Sequence, residues 1–329
     1  MCSSDLVVGI GHLGNYHLQK YKKLPGCEIV GVSDIAEDRV KKAARTYGCA
    51  AYTDYRGLIG NVGAVSIAVP TRAHHAVAKD FLAAGVDVLL EKPITATLSE
   101  ANELITLADK QNLIFQVGFV ERFNPAIVAL KTLNIKPLFI ETHRLHPFFE
   151  RGTDVDVILD LMIHDLDIIL DFVQSPVKSV DAAGVSVLSD KIDISNARIT
   201  FESGCVANVT ASRITAKTMQ KIRFFEPTGY HSVDCGKREL LSLGKKNGPD
   251  GQLKITENKL KVKKLDPLEE EIRSFLDAVT NRTTPLVSGR DSLASLELGL
   301  TIIERMKTAQ AIIPLTDMVD LNSSSGGNT

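Results

Sequence analysis

The sequence predicts an α/β chain in two parts, a doubly wound parallel sheet followed by a second α/β region built on an antiparallel sheet. Three observations carry this reading. Short continuous apolar runs alternate with helix-compatible stretches from Leu6 to about Phe119. The first of these runs leads directly into Gly9-x-Gly11-x-x-Gly14. Near Gly118 the alternation stops, and longer segments with apolar residues at every second position take over. Continuous apolar runs suit strands covered on both faces; a period of two suits a sheet with one face covered.

Taken in order, the first part reads as strands at 6–10, 28–33, 64–69, 86–90 and 113–117, with helices near 13–23, 37–47, 74–84 and 98–111. Parallel strands in such an order require right-handed crossovers. Ser99 is a plausible N-cap for the last of these helices, ahead of Glu100 and Glu103. A short helix starts at Pro125, a favoured first-turn residue. A stronger helix follows near 156–173, then strands at 177–188, 194–202, 205–213, 219–226 and 229–235. Phe201 to Cys205 reads as a hairpin turn, with Cys205, Ala207, Val209 and Ala211 on one face. The Lys- and Gly-rich stretch 237–264 reads as a loop with a weak hairpin, and two helices near 266–281 and 290–310 close the chain. The expected division is 1–120, 121–315 and a flexible tail at 316–329, whose composition is that of a disordered end.

The glycine turn is the chemically informative stretch. A strand, a tight turn and a helix N-terminus follow one another in the order a dinucleotide site needs. Gly9 permits the turn, Gly11 lets backbone approach a pyrophosphate, and Gly14 lets the helix pack on the strand. His12 and Leu13, between them, complete the loop that faces the phosphates. The second strand ends in Asp34, twenty residues beyond Gly14, where a carboxylate accepts hydrogen bonds from both ribose hydroxyls of an adenosine. A carboxylate there repels a 2′-phosphate, which favours NAD over NADP.

Bulk properties exclude other classes. With 329 residues the chain can bury a large core, and its net charge of −2 gives no electrostatic footprint for nucleic acid. No apolar run reaches the length of about 18 residues that a membrane span needs, and no secretory signal pattern opens the sequence. Five cysteines at 2, 27, 49, 205 and 235, without a CxxC pair, fit reduced thiols and a cytoplasmic setting.

Four constellations could carry chemistry. Glu91-Lys92-Pro93 follows an apolar strand, at the end of a parallel sheet where ligands bind. Lys92 there can hold an oxygen on which charge develops, and a cis Lys92–Pro93 bond would aim it inward. Asp160 and His164 are four apart on the helix near 156–173, so that Asp160 can orient an imidazole poised to exchange a proton. Asp167 and Asp171, further along that stripe, read as a solvated face. Arg122 and Asn124, at the junction of the two parts, could clamp an anionic group and orient a hydroxyl. Thr71 and His74 follow the strand 64–69 and fall by chain order beside the nicotinamide end of a cofactor, although His74 could equally cap its helix. Glu141, His143 and His146 lie close in sequence, but His146 points away on a strand and no metal site is expected.

With these residues in place, the chain resembles the Gfo/Idh/MocA family of oxidoreductases. The resemblance rests on Gly9-x-Gly11-x-x-Gly14, Asp34, Pro70-x-x-x-His74, Glu91-Lys92-Pro93 and Asp160-x-x-x-His164, in that order, over roughly residues 5 to 315. It implies an N-terminal Rossmann domain, a C-terminal α/β domain with a large, open, mostly antiparallel sheet, and a nicotinamide cofactor. It also implies a homo-oligomer, dimer or tetramer, assembled through that sheet. The family's roles fall on Lys92 and His164 at the oxidised hydroxyl, with Asp160 in support, and on Glu91 among the cofactor contacts. Within the family, residues 121–126, 153–168 and 196–213 resemble the branch that oxidises the C3 hydroxyl of UDP-N-acetylglucosamine-type nucleotide sugars. Its diphosphate needs cations, for which Arg122, Arg144, Arg151, Arg213 and Lys217 are candidates. The alternatives are a dehydrogenase of a free sugar, inositol or other polyol, and a non-catalytic dinucleotide-binding regulator.

Overall fold

A computed structural model of the chain describes residues 3–148, 155–247, 253–260, 262–308 and 312–313. In chain order the elements are β1 (Ser3–Val8), α1 (His12–Tyr21), β2 (Cys27–Ser33), α2 (Glu37–Tyr47), β3 (Ala50–Tyr52), β4 (Ala64–Ile67), α3 (Thr71–Ala83), β5 (Asp87–Glu91), α4 (Leu98–Gln111) and β6 (Phe115–Gly118). There follow α5 (Pro125–Lys131), β7 (Phe139–Leu145), α6 (Ile163–Val173), β8 (Val177–Val185), β9 (Ile194–Phe201), β10 (Val206–Ser212), β11 (Met219–Glu226), β12 (Gly229–Asp234), β13 (Glu239–Asn247) and β14 (Leu253–Lys259). The chain closes with α7 (Pro267–Asn281), α8 (Gly289–Thr308) and the two-residue β15 (Ile312–Ile313). Two compact units result. The first runs to Phe123 and includes Leu265–Leu296; the second holds Asn124–Lys264 and the residues from Glu297 onward.

The first unit is a six-stranded sheet in the order β3-β2-β1-β4-β5-β6, with every pairing parallel. Its central strands are buried on both faces: β4 and β5 contain no exposed residue. This is why their sequences are mostly apolar, with Ser66, Asp87 and Glu91 as buried polar exceptions. The order reverses direction between β1 and β4, which opens a crevice beyond the carboxyl ends of those strands. Gly9, Asp34, Thr71 and Lys92 all follow strands at that same end. The short edge strand β3 was not foreseen, because Ala50–Tyr52 is only three residues long. The cap of α4 is Thr97 and not Ser99: Thr97 Oγ1 accepts the Glu100 N–H while the Glu100 side chain accepts the Thr97 N–H, a reciprocal capping box.

The segment Leu265–Leu296, which the sequence reading grouped with the second domain, packs in the first unit. Ile272, Phe275 and Ala278 of α7 share one core with Val7, Leu18, Tyr21 and Leu89. Two ion pairs reinforce this, Lys20 Nζ to Asp266 Oδ2 at 2.8 Å and Arg282 Nη1 to Asp87 Oδ2 at 2.6 Å. A chain that leaves a domain and returns to it leaves no local signature of that return.

The second unit is built on the sheet β14-β13-β12-β11-β7-β10-β9-β8, with β15 at its edge. Most pairings are antiparallel; β7–β10 and β8–β15 are parallel. The alternation of the sequence is visible in burial: Ala197, Ile199, Ala207, Val209, Ala211, Ile222 and Phe224 are fully covered. On the other face polar side chains form cross-strand pairs, Asn196 Nδ2 to Thr210 Oγ1 at 2.8 Å and Arg223 Nη1 to Glu141 Oε2 at 2.9 Å. The hairpin at Phe201–Cys205 turns through Gly204 with φ +85°. The weak hairpin expected within 237–264 is the regular antiparallel pair β13 and β14. Its many lysines suit an edge hairpin, where charge discourages further pairing.

Candidate functional site

The glycine turn has a different steric reason at each position. Gly9 adopts φ +89°, and a Cβ on it would lie 2.6 Å from the Ala68 carbonyl oxygen. At Gly14 a Cβ would lie 1.8 Å from the Gly9 carbonyl oxygen, so only glycine lets α1 sit this close to the turn. A Cβ on Gly11 would meet nothing within 4 Å. Gly11 is therefore the one whose missing side chain leaves space outward, at the N-terminus of α1. No side chain caps that terminus and no acidic residue lies in its first turn. Unsatisfied N–H groups and the positive end of the helix dipole thus face open space, the requirement for a pyrophosphate. His12 and Leu13 are exposed on the same turn.

Asp34 is buried at the end of β2, where its carboxylate organises the turn. Oδ2 accepts the Ile10 N–H at 2.7 Å and Oδ1 accepts the Ala36 N–H at 2.9 Å. Arg39, which the sequence reading did not consider, donates from Nη1 to Oδ2 at 3.0 Å and to Oδ1 at 3.3 Å. Its signal was present: a cation five residues beyond the strand-end carboxylate, across a tight strand–helix turn.

At the end of β5, Lys92 is half-buried and the Lys92–Pro93 bond is cis. Glu91, expected among the cofactor contacts, turns inward instead: its Oε1 lies 2.9 Å from Nε2 of the fully buried His17. Burial alone would push the Glu91 carboxyl up. The hydrogen bond and charge of His17, with Lys92 and His74, overcome this and hold it below its ordinary value. His74, buried on α3, bridges two carbonyls, with Nδ1 2.7 Å from the Pro93 oxygen and Nε2 2.9 Å from the Val69 oxygen. It braces the turn after β5 against the end of β4, and burial lowers its pKa against the pull of those carbonyls. Thr71 opens α3 behind Pro70. His17 stands on the face of α1 that also carries Gly14, Leu18 and Tyr21, a helical stripe legible in sequence.

Behind this turn lies a second buried acid. Glu271 of α7 is fully buried, and neither of its oxygens has a hydrogen-bond partner among the described residues. Burial, and then the charge of Glu91, push its carboxyl well above the ordinary range. A carboxyl in such surroundings keeps its proton. The Gln116 side chain donates to the Glu271 backbone oxygen at 3.2 Å.

In the second unit Asp160 and His164 are both half-buried. The helix expected over 156–173 divides into a π-helical turn at Ile158–Met162 and the regular α6. Asp160 lies in the wide turn, so the α-helical repeat that put it over His164 does not govern their spacing. Asp167, read as solvated, is 3 % exposed. Asp171 pairs with Lys131 at 2.5 Å.

Two arginines expected at substrate are engaged in buried ion pairs. Arg144 donates from Nε and Nη2 to Asp165 Oδ1 at 3.0 and 2.7 Å. Arg213 donates to Asp193 Oδ1 at 2.8 Å, to the Val155 carbonyl at 2.9 Å and to Ser189 Oγ at 3.1 Å. Asp193 also accepts the backbone N–H groups of Val187, Leu188 and Ser189. Against the cost of burial, the Ser189 hydroxyl, which donates to Oδ1 at 2.7 Å, these backbone donors and Arg213 hold its carboxyl far below the ordinary range. Asn124 has both ends of its amide in use, capping α5 through the Ala126 N–H at 3.1 Å and donating to the Cys235 oxygen at 2.9 Å. Arg122 is buried near the end of the first unit's N-terminal segment. Lys217 is exposed, and Arg151 lies outside the described residues.

A parallel sheet in this order, with a glycine turn and a strand-end carboxylate at its switch point, defines a dinucleotide-binding Rossmann unit. Two family models match the chain: the oxidoreductase family with NAD-binding Rossmann fold over residues 5–119, and the GFO/IDH/MocA C-terminal domain over 139–229. The UDP-N-acetylglucosamine 3-dehydrogenase of Acidithiobacillus ferrooxidans is 36% identical over 294 residues, covering 88% of this chain and 93% of that protein. Its solved structure superposes with a TM-score of 0.87 at 33% identity, over 94% of this chain and 99% of that one. The myo-inositol 2-dehydrogenase of Thermotoga maritima is 25% identical over 93% of this chain and 97% of that protein. The chain belongs to the Gfo/Idh/MocA family and is an NAD-binding oxidoreductase, a dehydrogenase acting on CH–OH groups. Among the described residues no helix is long and apolar enough to cross a membrane.

Proposed function

We propose that the protein oxidises the C3 hydroxyl of a UDP-N-acetylglucosamine-type nucleotide sugar to a ketone, with NAD as its preferred cofactor. The observation that carries this reading is the 36% identity, spread over most of both chains, to a relative bearing that name. Bound NAD supplies the acceptor for the hydride leaving the carbinol carbon. The groups that hold it are the open N-terminus of α1 at Gly11, His12 and Leu13, the turn glycines Gly9 and Gly14, and Asp34 at the adenosine ribose. Thr71 borders the same crevice.

Lys92 holds the substrate oxygen as charge develops on it, with three rotatable donors on one ammonium. His164 takes the hydroxyl proton on an imidazole nitrogen, and Asp160 supports it. Glu91 and His74 act behind Lys92, one anchored on His17 and the other tying Pro93 to Val69. Arg122, Arg151 and Lys217 are the cations proposed for the diphosphate. Arg144, Arg213 and Asn124 act through the elements they fix. Assembly as a homo-oligomer through the antiparallel sheet completes this reading.

A free polyol or sugar is the second reading. It is favoured by the inositol-dehydrogenase relative and by the engagement of Arg144 and Arg213 in ion pairs, which removes two cations from a diphosphate. The discriminating experiment supplies NAD with UDP-N-acetylglucosamine, and separately with myo-inositol and free sugars, and follows reduced nicotinamide by absorbance and product by mass. The expected result is reduction with the UDP-sugar, a product two mass units lighter, and loss of turnover in His164→Ala. Turnover only with a free polyol replaces this reading by the second.

A further inference from the structure

We propose that Glu271 is a positioning residue for Lys92: held as the neutral acid behind the Lys92–Pro93 turn, it leaves Glu91 as the single negative charge there, and its ionisation draws Lys92 off the substrate. The proposal rests on the role of Lys92 at the substrate oxygen, and it holds for a nucleotide sugar and a polyol alike.

Strand β6 brings the two acids together. Glu91 and Gly118 are register partners in the pair β5–β6, and a Cβ on Gly118 would lie 3.1 Å from Glu91 Oε2. Gln116, two residues before Gly118, shares that face of the strand and donates to the Glu271 backbone oxygen at 3.2 Å. Helix α7 gives the same placement from its own side. Phe275 lies one helical turn after Glu271, and it shares a core with Leu89, two residues before Glu91. Glu271 therefore stands on the face of α7 turned toward β5. It is fully buried, and neither carboxyl oxygen has a partner among the described residues.

The charged groups on the surrounding elements are engaged elsewhere. On α1, His17 is joined to Glu91 and Lys20 to Asp266. On β5, Asp87 is joined to Arg282. The turn Val120–Phe123, packed against α7, carries Glu121 and Arg122, and on α7 itself Glu269 and Glu270 pair with Arg273. The charge that acts on Glu271 is that of Glu91. Two carboxyls that share a buried site do not ionise together. Glu91, with His17 on its Oε1 at 2.9 Å, keeps the charge; Glu271, with no such partner, keeps the proton. A leucine would fill the place of Glu271 without burying a polar group. What a carboxyl adds is a proton that can be lost. Its loss to water leaves a second anion behind the turn. Lys92, the residue after Glu91, carries its ammonium on a flexible four-carbon stem. The second anion pulls that ammonium inward, off the substrate oxygen.

The test joins infrared spectroscopy to turnover across a range of pH, on wild type, Glu271→Gln, Glu271→Leu and Glu91→Gln. The infrared measurement needs neither substrate nor NAD, so it decides for Glu271 whatever the substrate is. The C=O stretch of a protonated carboxyl should be present in wild type at neutral pH and absent in Glu271→Gln and Glu271→Leu. In Glu91→Gln, where the repelling charge is gone, it should disappear at a proton concentration at least about tenfold higher than in wild type. Turnover is followed with whichever substrate reduces NAD. As pH rises, the kcat of wild type should fall by about tenfold or more relative to Glu271→Gln and Glu271→Leu, with no change in the KM for NAD. Either of these two variants serves the comparison where the other does not fold. A kcat that falls alike in wild type and variant, a wild type without the carboxyl band, or a band that Glu91→Gln leaves unmoved overturns the proposal. Absence of turnover with every substrate overturns instead the reading of Lys92 beneath it.

Discussion

The two units use arginine in opposite ways. In the first, Arg39 lies at the surface against a buried carboxylate, with about half of its side chain exposed. In the second, Arg144 and Arg213 are buried with Asp165 and Asp193, and their donors are directed into the protein. Residue type and position along the chain suggested anion binding for the buried pair, while the exposed one went unread although its spacing from Asp34 was visible. Whether an arginine meets a ligand depends on what else competes for it. A buried aspartate is a strong competitor, because an unpaired charge in the interior is costly.

The largest effect that can break this comparison is at Arg213. Arg213→Ala strands Asp193, which otherwise holds an array of donors, and should destabilise the protein by about 3–5 kcal/mol. Thermal unfolding measures this directly. A Tm close to wild type with a raised KM would instead make Arg213 a substrate contact, and the contrast between the units would fail.

A smaller effect sharpens the first unit. The carboxyl of Glu271 is raised, so the folded protein holds that proton above the ordinary value of 4.5. The group's contribution is complete below that pH and declines as pH rises toward the folded value. Glu271→Gln removes the titration while keeping the shape of the neutral acid. Its Tm advantage over wild type should grow as the pH is raised above 4.5. Glu91 is lowered and acts in the opposite sense, losing its contribution as pH falls through its folded value. A Tm difference that does not vary with pH would mean that Glu271 carries no buried proton.

Much of the architecture was legible because it follows from backbone geometry. The largely apolar runs of β4 and β5 and the alternation of β9 and β10 are direct images of burial on two faces and on one. The glycine turn was legible for the same reason, since Gly9 and Gly14 are fixed by steric contacts that no other residue satisfies. What was not legible depends on distant chain. The return of α7 to the first core, the partner of Arg213 twenty residues away, and the inward turn of Glu91 toward His17, 74 residues earlier, leave no local pattern. The π-helical turn at Ile158–Met162 escaped for a different reason: its residues fit an α-helix equally well.

The central claim is that the open N-terminus of α1 holds the pyrophosphate of a dinucleotide, and Gly11 tests it most directly. Its φ of −72° suits any residue, and a Cβ there meets no protein atom within 4 Å. A methyl group at this position can therefore obstruct only a ligand. NADH titration of Gly11→Ala, read beside its thermal unfolding, should give a Tm like that of wild type together with a large loss of NADH binding. NADH bound as tightly by this variant as by wild type would contradict the account.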